Sequence, residues 1–195
     1  MKYTFRLVNH ERKEPLADPS LLQHRPARRP EGEGGSLAVD ARRFIPGREL
    51  EDAINTAIAV NEPLLLTGEP GTGKTTAAYY TAWKLGLGKV LHFQVKSESV
   101  ARDLLYHFDT VRYFHDAHLV CNQQPGQLPD KSHYVEKRAL GQALTADSPR
   151  MLLIDEIDKA PRDFPNDLLH ELHEWNFQIA ETGQLIQGKP ENRPL

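Results

Sequence analysis

The stretch Gly68-Glu69-Pro70-Gly71-Thr72-Gly73-Lys74-Thr75 decides the fold of this chain. It matches the pattern G-x-x-x-x-G-K-[ST] at every required position. Glycines let the backbone turn tightly, so that successive N–H groups point inward at a phosphate chain, and a helix beginning at the loop adds the positive end of its dipole. The candidate nucleotide-binding residues are therefore Gly68, Glu69, Pro70, Gly71, Thr72, Gly73, Lys74, Thr75 and Thr76.

Two residues of this loop have predicted chemical roles. Lys74 is expected to reach the β- and γ-phosphates, which makes it a catalytic as well as a binding candidate, and the hydroxyl of Thr75 is expected to bind Mg²⁺. The flanking sequence favours this interpretation over a glycine-rich turn that binds nothing. Leu64-Leu65-Leu66-Thr67 is a short apolar run, which predicts a strand buried on both faces of a parallel sheet. A helix is predicted from the loop to about Leu85, where Gly86 and Gly88 end it.

An acidic pair follows a second apolar run about eighty residues downstream of the loop. Met151-Leu152-Leu153-Ile154 predicts a strand that ends at Asp155-Glu156. Carboxylates at the carboxyl end of a parallel strand face the crevice where α/β sheets bind ligands. Asp155 is therefore the predicted Mg²⁺ ligand, and Glu156 is the predicted catalytic residue that polarises an attacking water. The alternative is a solvated turn.

Helices and strands are predicted to alternate along the rest of the chain, which indicates an α/β fold with a parallel sheet. Leu50, Ile54, Ala57 and Ile58 recur at helical spacing, and that helix is predicted to end near Asn61. The other predicted elements are a strand over 90–95, a helix capped by Ser99, helices over about 134–144 and 163–175, and a hairpin pairing 177–179 with 185–187.

Residues 1–40 are predicted to form a flexible arm, and residues 41–195 the folded domain. A short strand is conceivable at 3–8, but the segment from Glu14 to Ser36 is dominated by Pro, Arg, Glu and Gly, which bury too little apolar surface to offset the entropy of ordering. The basic cluster Arg25, Arg28 and Arg29 is read as part of a solvated linker, with a contact to nucleic acid or an acidic partner as the alternative.

The composition indicates an ordinary soluble globular protein. Of 195 residues, 39% are hydrophobic and 26% are charged, and the formal net charge of −3 gives no electrostatic reason to expect nucleic acid as the main partner. A single cysteine excludes an internal disulfide framework. Neither a signal peptide nor a membrane-spanning apolar stretch is visible, so a cytoplasmic location without membrane contact is expected.

Three other groups of residues could suggest a functional site, but each has a simpler explanation. His115, His118 and Cys121, with His133, resemble a metal site only loosely, and incidental surface histidines are the preferred explanation. His170 and His173 alternate with glutamates and are read as an exposed polar helix face. Cys121 has no evident activating base and is not predicted to be a nucleophile.

The chain resembles the AAA+ ATPases, and within them the MoxR-like and dynein-related branch. The stretches that carry this resemblance are 44–49, the loop 68–75, Leu152-Leu153-Ile154-Asp155-Glu156-Ile157-Asp158-Lys159-Ala160-Pro161, and parts of 166–183. The resemblance implies a three-layer P-loop NTPase core that uses ATP and Mg²⁺. It also implies a ring, usually hexameric, that hydrolyses ATP to remodel partner proteins, often a von Willebrand A-domain protein. The Pro46-Gly47-Arg48 stretch lies where such proteins contact the adenine.

The resemblance covers only the N-terminal part of such a module. The sensor strand, the arginine finger, the fifth strand and the helical lid lie outside these 195 residues. In the family's strand order 5-1-4-3-2, the fourth strand separates the loop strand from the acidic-pair strand. The expectation is thus a truncated or split chain of low stability and low activity. The alternatives are a nucleotide-binding module without hydrolysis and a P-loop phosphotransferase.

Overall fold

The computed structural model describes residues 36–123, 127–189 and 192–195. The α-helices are α1 Ser36–Ala41, α2 Arg48–Val60, α3 Lys74–Lys84, α4 Ala101–Leu105, α5 Thr110–Gln123, α6 Ala139–Leu144 and α7 Phe164–Glu174. The strands are β1 Leu91–Gln94, β2 Tyr106–Phe108, β3 Val135–Lys137, β4 Leu152–Asp155, β5 Asn176–Gln178 and β6 Leu185–Gln187. Short 3-10 helices cover Lys131–Tyr134 and Ile157–Lys159.

The parallel sheet of the described residues consists of β1 and β4. Leu91 pairs with Leu152, and the register continues to Gln94 opposite Asp155. The other two sheets are antiparallel pairs, β2 with β3 and β5 with β6. The predicted α/β class with a parallel sheet is confirmed, and its core is incomplete within the described residues because the sheet has two strands.

Helices cover both faces of the β1–β4 pair, which gives three layers. On one face Leu153 packs against a cluster that includes Tyr80 of α3. On the other face Leu152 and Ile154 pack against a cluster that includes Leu104 of α4. Alternate side chains of β4 therefore enter different cores, as the period of two in a strand requires. Residues of the first cluster below 4% exposure are Ala41, Tyr80, Ala82, Leu85 and Leu87; those of the second are Val95, Leu104, Tyr106, Leu140, Leu144, Phe164, Leu168, Phe177 and Ile179.

The strand predicted at 64–67 is wrong. These residues have no regular secondary structure, and Leu64 and Leu65 are 39% and 69% exposed. A parallel strand needs a hydrogen-bonded neighbour, and none of the described strands pairs with this segment. Along the edge of β4 opposite β1, Leu195 takes the first position: its N–H donates to the Arg150 carbonyl (2.9 Å), and the Leu152 N–H donates to its carbonyl (2.8 Å).

Most other predicted elements are confirmed within a residue or two. Helix α2 ends where predicted, because Asn61 adopts the left-handed conformation (φ 58°). The strand at 90–95, the helix after the loop, the helix near 163–175 and the 177–187 hairpin correspond to β1, α3, α7 and β5–β6.

Three local predictions need correction. The helix predicted over 134–144 is a 3-10 turn, strand β3 and the shorter α6, because residues 135–137 pair with β2. Ser99 does not cap α4; its Oγ accepts from the Lys96 N–H (3.0 Å), and the Asp103 carboxylate accepts from the Val100 N–H (3.0 Å). Helix α1 lies at the end of the predicted arm, so the described structure begins before Phe44.

Three predictions fall outside the described residues: the short strand at 3–8, the basic cluster at 25–29 and most of the flexible arm. Within the described ranges, no helix combines the length and apolar character required to cross a membrane.

Candidate nucleotide-binding site

The loop before α3 has the backbone that a phosphate cradle needs. Gly68, Gly71 and Gly73 have φ angles of 144°, 81° and 86°, which side-chain-bearing residues rarely adopt. At Gly73 a Cβ atom would also lie 2.8 Å from the ring of Phe44. Glycine is therefore required there for two reasons, and the packing of Phe44 sets the segment that leads into α2 beside the loop.

Lys74 lies across the loop rather than along α3. Its Nζ donates hydrogen bonds to the carbonyls of Gly68 (2.8 Å) and Glu69 (2.7 Å). The hydroxyl of Thr72 donates to the same Glu69 carbonyl (2.9 Å). These bonds hold the ammonium group above the loop, where its charge can attract a phosphate.

Thr75 and Asp155 meet although 80 positions separate them in the sequence. Thr75 Oγ1 donates to Asp155 Oδ2 across 3.0 Å. The first turn of α3 positions the hydroxyl, and the carboxyl end of β4 positions the carboxylate. Hydroxyl and carboxylate oxygens are hard donors of the kind that Mg²⁺ prefers, so this pair fits the cation.

Two further side chains surround the Asp155 carboxylate. His92 Nε2 lies 3.5 Å from Asp155 Oδ2. Tyr79, one turn after Thr75, has a raised pKa because it is desolvated by burial and because the Asp155 charge disfavours its phenolate. Sequence patterns did not single out either residue. The sequence could have indicated His92 through its position in β1, the strand next to β4. Adjacent parallel strands end at the same edge of the sheet, and β4 ends at Asp155.

Glu156 has a constrained backbone and a fully engaged oxygen. Its φ of 58° lies in the left-handed region, which is uncommon for a residue with a side chain. Its Oε2 accepts from Lys159 Nζ (2.8 Å) and from Gln94 Nε2 (2.9 Å). The hydrogen bond from Lys159, followed by that from Gln94, lowers the pKa of Glu156, so the carboxylate is ionised and paired. Like His92 and Tyr79, Lys159 and Gln94 were not assigned to this site from the sequence.

The remaining candidates are placed as follows. Thr76 lies in the first turn of α3, and Glu69 and Pro70 are exposed in the loop. His115 contacts Asp116 (Nδ1 to Oδ1, 3.0 Å), and no group of three or more His, Cys, Asp or Glu residues with the arrangement of a metal site occurs in the described part of the chain. The side chains of Cys121 and His170 lie outside the described residues. His173 is 86% exposed.

The sequence matches a model of a known protein family. The family model for the AAA domain, dynein-related subfamily, matches residues 63–195, which is well over half of the chain. The match includes the loop, the acidic pair and the residues around them. No curated protein matches the sequence.

Proposed function

Because the chain belongs to the AAA domain family, dynein-related subfamily, we propose that it binds ATP with Mg²⁺ and hydrolyses it. The observation that carries this proposal is the 3.0 Å contact between Thr75 and Asp155. Two oxygens that could share one cation converge beside a glycine loop, at the start of a helix and the end of a parallel strand. Such an arrangement would suit a nucleoside triphosphate bound together with Mg²⁺, which Thr75 and Asp155 would hold.

Each residue of the site has a distinct role in this proposal. The loop N–H groups and Lys74 bind the phosphates, while Thr75 and Asp155 hold Mg²⁺, which neutralises phosphate charge when it is bound. Glu156 orients the attacking water and accepts its proton. Since Lys159 and Gln94 both bind Oε2, the base must act through Oε1 or leave these partners.

We further propose, from the sequence resemblance, that the protein is a MoxR-like subunit of a ring, usually of six copies. The ring would remodel a partner protein in the cytoplasm, for which a von Willebrand A-domain protein is the candidate. For the 195-residue chain alone we expect slow turnover, because the segment that leads into the phosphate loop has no strand to pair with among the described residues.

Binding is tested with a fluorescent ATP analogue titrated with and without Mg²⁺. Lys74→Ala should weaken binding at least ~100-fold, since it removes the loop's ammonium charge, which would bind the β- and γ-phosphates. The matched control is Lys189→Ala, which removes the same charge from a side chain that is 60% exposed and pairs with Asp147. If the Lys74→Ala and Lys189→Ala proteins bind the analogue with equal affinity, the proposed nucleotide site is excluded.

Hydrolysis is tested by phosphate release from the same protein. Glu156→Gln should retain nucleotide binding and abolish release, because an amide cannot accept the proton of water. Release that is unaffected by this change would exclude Glu156 as the base. A phosphorylated product in place of free phosphate would instead identify a phosphotransferase.

The engagement of Glu156 Oε2 favours a second candidate function, nucleotide binding without hydrolysis. If the ion pair with Lys159 is permanent and keeps Oε1 away from the attacking water, the base is blocked. Lys159→Ala then separates the two functions: it should raise phosphate release above that of the unmodified chain if Glu156 is merely restrained. Binding of the analogue with no release in either protein would assign the binding-only function.

A further inference from the structure

A groove of about 510 Å³ lies along strand β1. Its lining includes the consecutive residues Lys89 to Phe93, so the strand itself forms one side. Strand β1 pairs with β4 on one edge, and no other described strand pairs with it. The groove therefore follows the open edge of the parallel sheet, on the side opposite to β4.

The backbone along this edge has unused hydrogen-bonding groups. The N–H of Leu91 donates to Met151 (2.8 Å), and the N–H of Val95 donates to Asp155 (3.0 Å). Because successive residues of a strand direct their backbone groups to opposite edges, those of His92 and Gln94 face away from β4. Neither N–H has a backbone partner among the described residues, and both side chains are exposed. An open edge of this kind is a template for another strand.

The two helical layers limit the shape of what can bind. Tyr79 of α3 lines the groove on the sheet face that carries Leu153, and Gln142 of α6 lines it beside the other face. An added strand lies roughly 5 Å from its neighbour, whereas a helix is about 10 Å wide. A slot between two helices with a strand edge at its base thus fits an extended chain better than a helix.

Basic side chains dominate the charge of the groove. The cationic side chains of Lys89 and Arg138 line it and are exposed. The one lining carboxylate, Asp103, already accepts from the Val100 N–H. Arg138 also lies 3.4 Å from Glu136, but both side chains are well exposed and such pairs contribute little. An acidic occupant would complement these charges. If a second copy of the chain paired edge to edge, the basic side chains of the two copies would face and repel each other.

We propose that the open edge of β1 binds an extended acidic segment of a partner protein as an added strand. Backbone hydrogen bonds to His92 and Gln94 supply affinity, and Lys89 and Arg138 select acidic side chains. Binding at this edge uses the backbone groups of His92 and Gln94, whose side chains adjoin the candidate nucleotide site. It does not depend on hydrolysis.

The experiment uses a fluorescein-labelled peptide of about ten alternating glutamate and valine residues, titrated with the whole chain by fluorescence anisotropy. We expect saturable binding below ~100 µM, and at least ~10-fold weaker binding after Lys89→Glu with Arg138→Glu, because attraction becomes repulsion. The control is Lys189→Glu, the same charge reversal at a lysine that does not line the groove. All proteins should bind the fluorescent ATP analogue equally, which shows that they are folded.

Two further measurements establish strand pairing. The peptide with N-methylated backbone amides should lose binding, because its charge is kept while its donors are removed. Amide exchange of the chain should slow at His92 and Gln94 on adding the peptide, and remain unchanged at Leu91 and Phe93. No saturable binding, or equal binding of the methylated peptide, would overturn the proposal. So would tighter binding of a single-stranded oligonucleotide at the same residues, or a β1-mediated dimer of the chain.

Discussion

Two short apolar runs in this chain have similar sequences and different structures. Residues 64–67 precede the phosphate loop, and residues 152–155 end in the Mg²⁺ candidate Asp155. The second run is strand β4, paired with β1 in register over four residues. The first run has no regular secondary structure, and Leu65 is 69% exposed.

The difference shows that a parallel strand depends on its neighbours more than on its own residues. Both runs consist largely of leucine and other branched side chains. Of the two, only β4 has a hydrogen-bonded partner strand and helices on both faces. The site residues are nevertheless in place beside the unpaired run, since Thr75 on α3 contacts Asp155. The packing of α3 therefore positions the site without a strand at 64–67.

The chain has two tryptophans, and one packs beside each core cluster. Trp83 adjoins the cluster of α1, α2 and α3, and Trp175 adjoins the cluster of α4, α6 and α7. Replacing one tryptophan by phenylalanine leaves the other as a fluorescent probe of the cluster that it adjoins. Each substitution described in the following paragraphs is made in both single-tryptophan proteins. Denaturant unfolding then measures its effect on the unfolding free energy reported from each cluster.

The largest expected effect comes from Leu104→Ala. Leu104 is fully buried in the cluster that packs on β4, so the substitution should cost about 2–5 kcal/mol of unfolding free energy through lost burial and a cavity. The transition reported by Trp175 should shift most. Leu119→Ala, at a leucine that is 48% exposed on α5, is the matched control with a small effect. Equal shifts for both changes would contradict the assigned core.

Gly141→Ala tests the contact between α6 and the end of α4. A Cβ at this position would overlap the Leu105 carbonyl oxygen, which is backbone and cannot rotate away. We expect about 1–3 kcal/mol of destabilisation from overpacking. Gly47→Ala is the control, because a Cβ there meets nothing within 4 Å and the φ of −68° suits alanine. A stable Gly141→Ala protein would show that α6 packs differently.

Thr75→Val tests the bond that joins the two regions at the site. It removes the hydroxyl that donates to Asp155 and should cost about 1 kcal/mol without nucleotide. Affinity for the fluorescent ATP analogue should lose its Mg²⁺ dependence. Thr75→Ser keeps the hydroxyl and should retain both properties. A serine protein that behaves like the valine protein would show that the hydroxyl alone is not sufficient.

Leu65→Ser gives the smallest expected effect and the most direct test of the comparison. Because Leu65 is exposed, the change should stay within about 0.5 kcal/mol. The same substitution at Leu153, which packs against the α3 cluster, should destabilise several times more. If the two substitutions cost the same, residues 64–67 are packed in solution as β4 is, and the contrast between the runs fails.

The site was more predictable than the sheet. Lys74, Thr75 and Asp155 were assigned from the spacing of the loop and from an acidic pair at a strand end, and the structure brings Thr75 and Asp155 into contact. The partners of Glu156 were not assigned: Lys159 is three residues away on a turn, and Gln94 is on a neighbouring strand. Neither contact follows from a local pattern, because the left-handed backbone of Glu156 and the β1–β4 register create them.

The sequence alone determined the loop, because glycine conformation, a helix start and a fixed spacing act within eight consecutive residues. It also determined most helices, since their apolar spacing is local. The tertiary structure decided which apolar runs became strands, which oxygen of Glu156 is engaged, and which edge of β1 stays open. These depend on hydrogen bonds between segments far apart in the chain, and no local pattern specifies the presence of a partner.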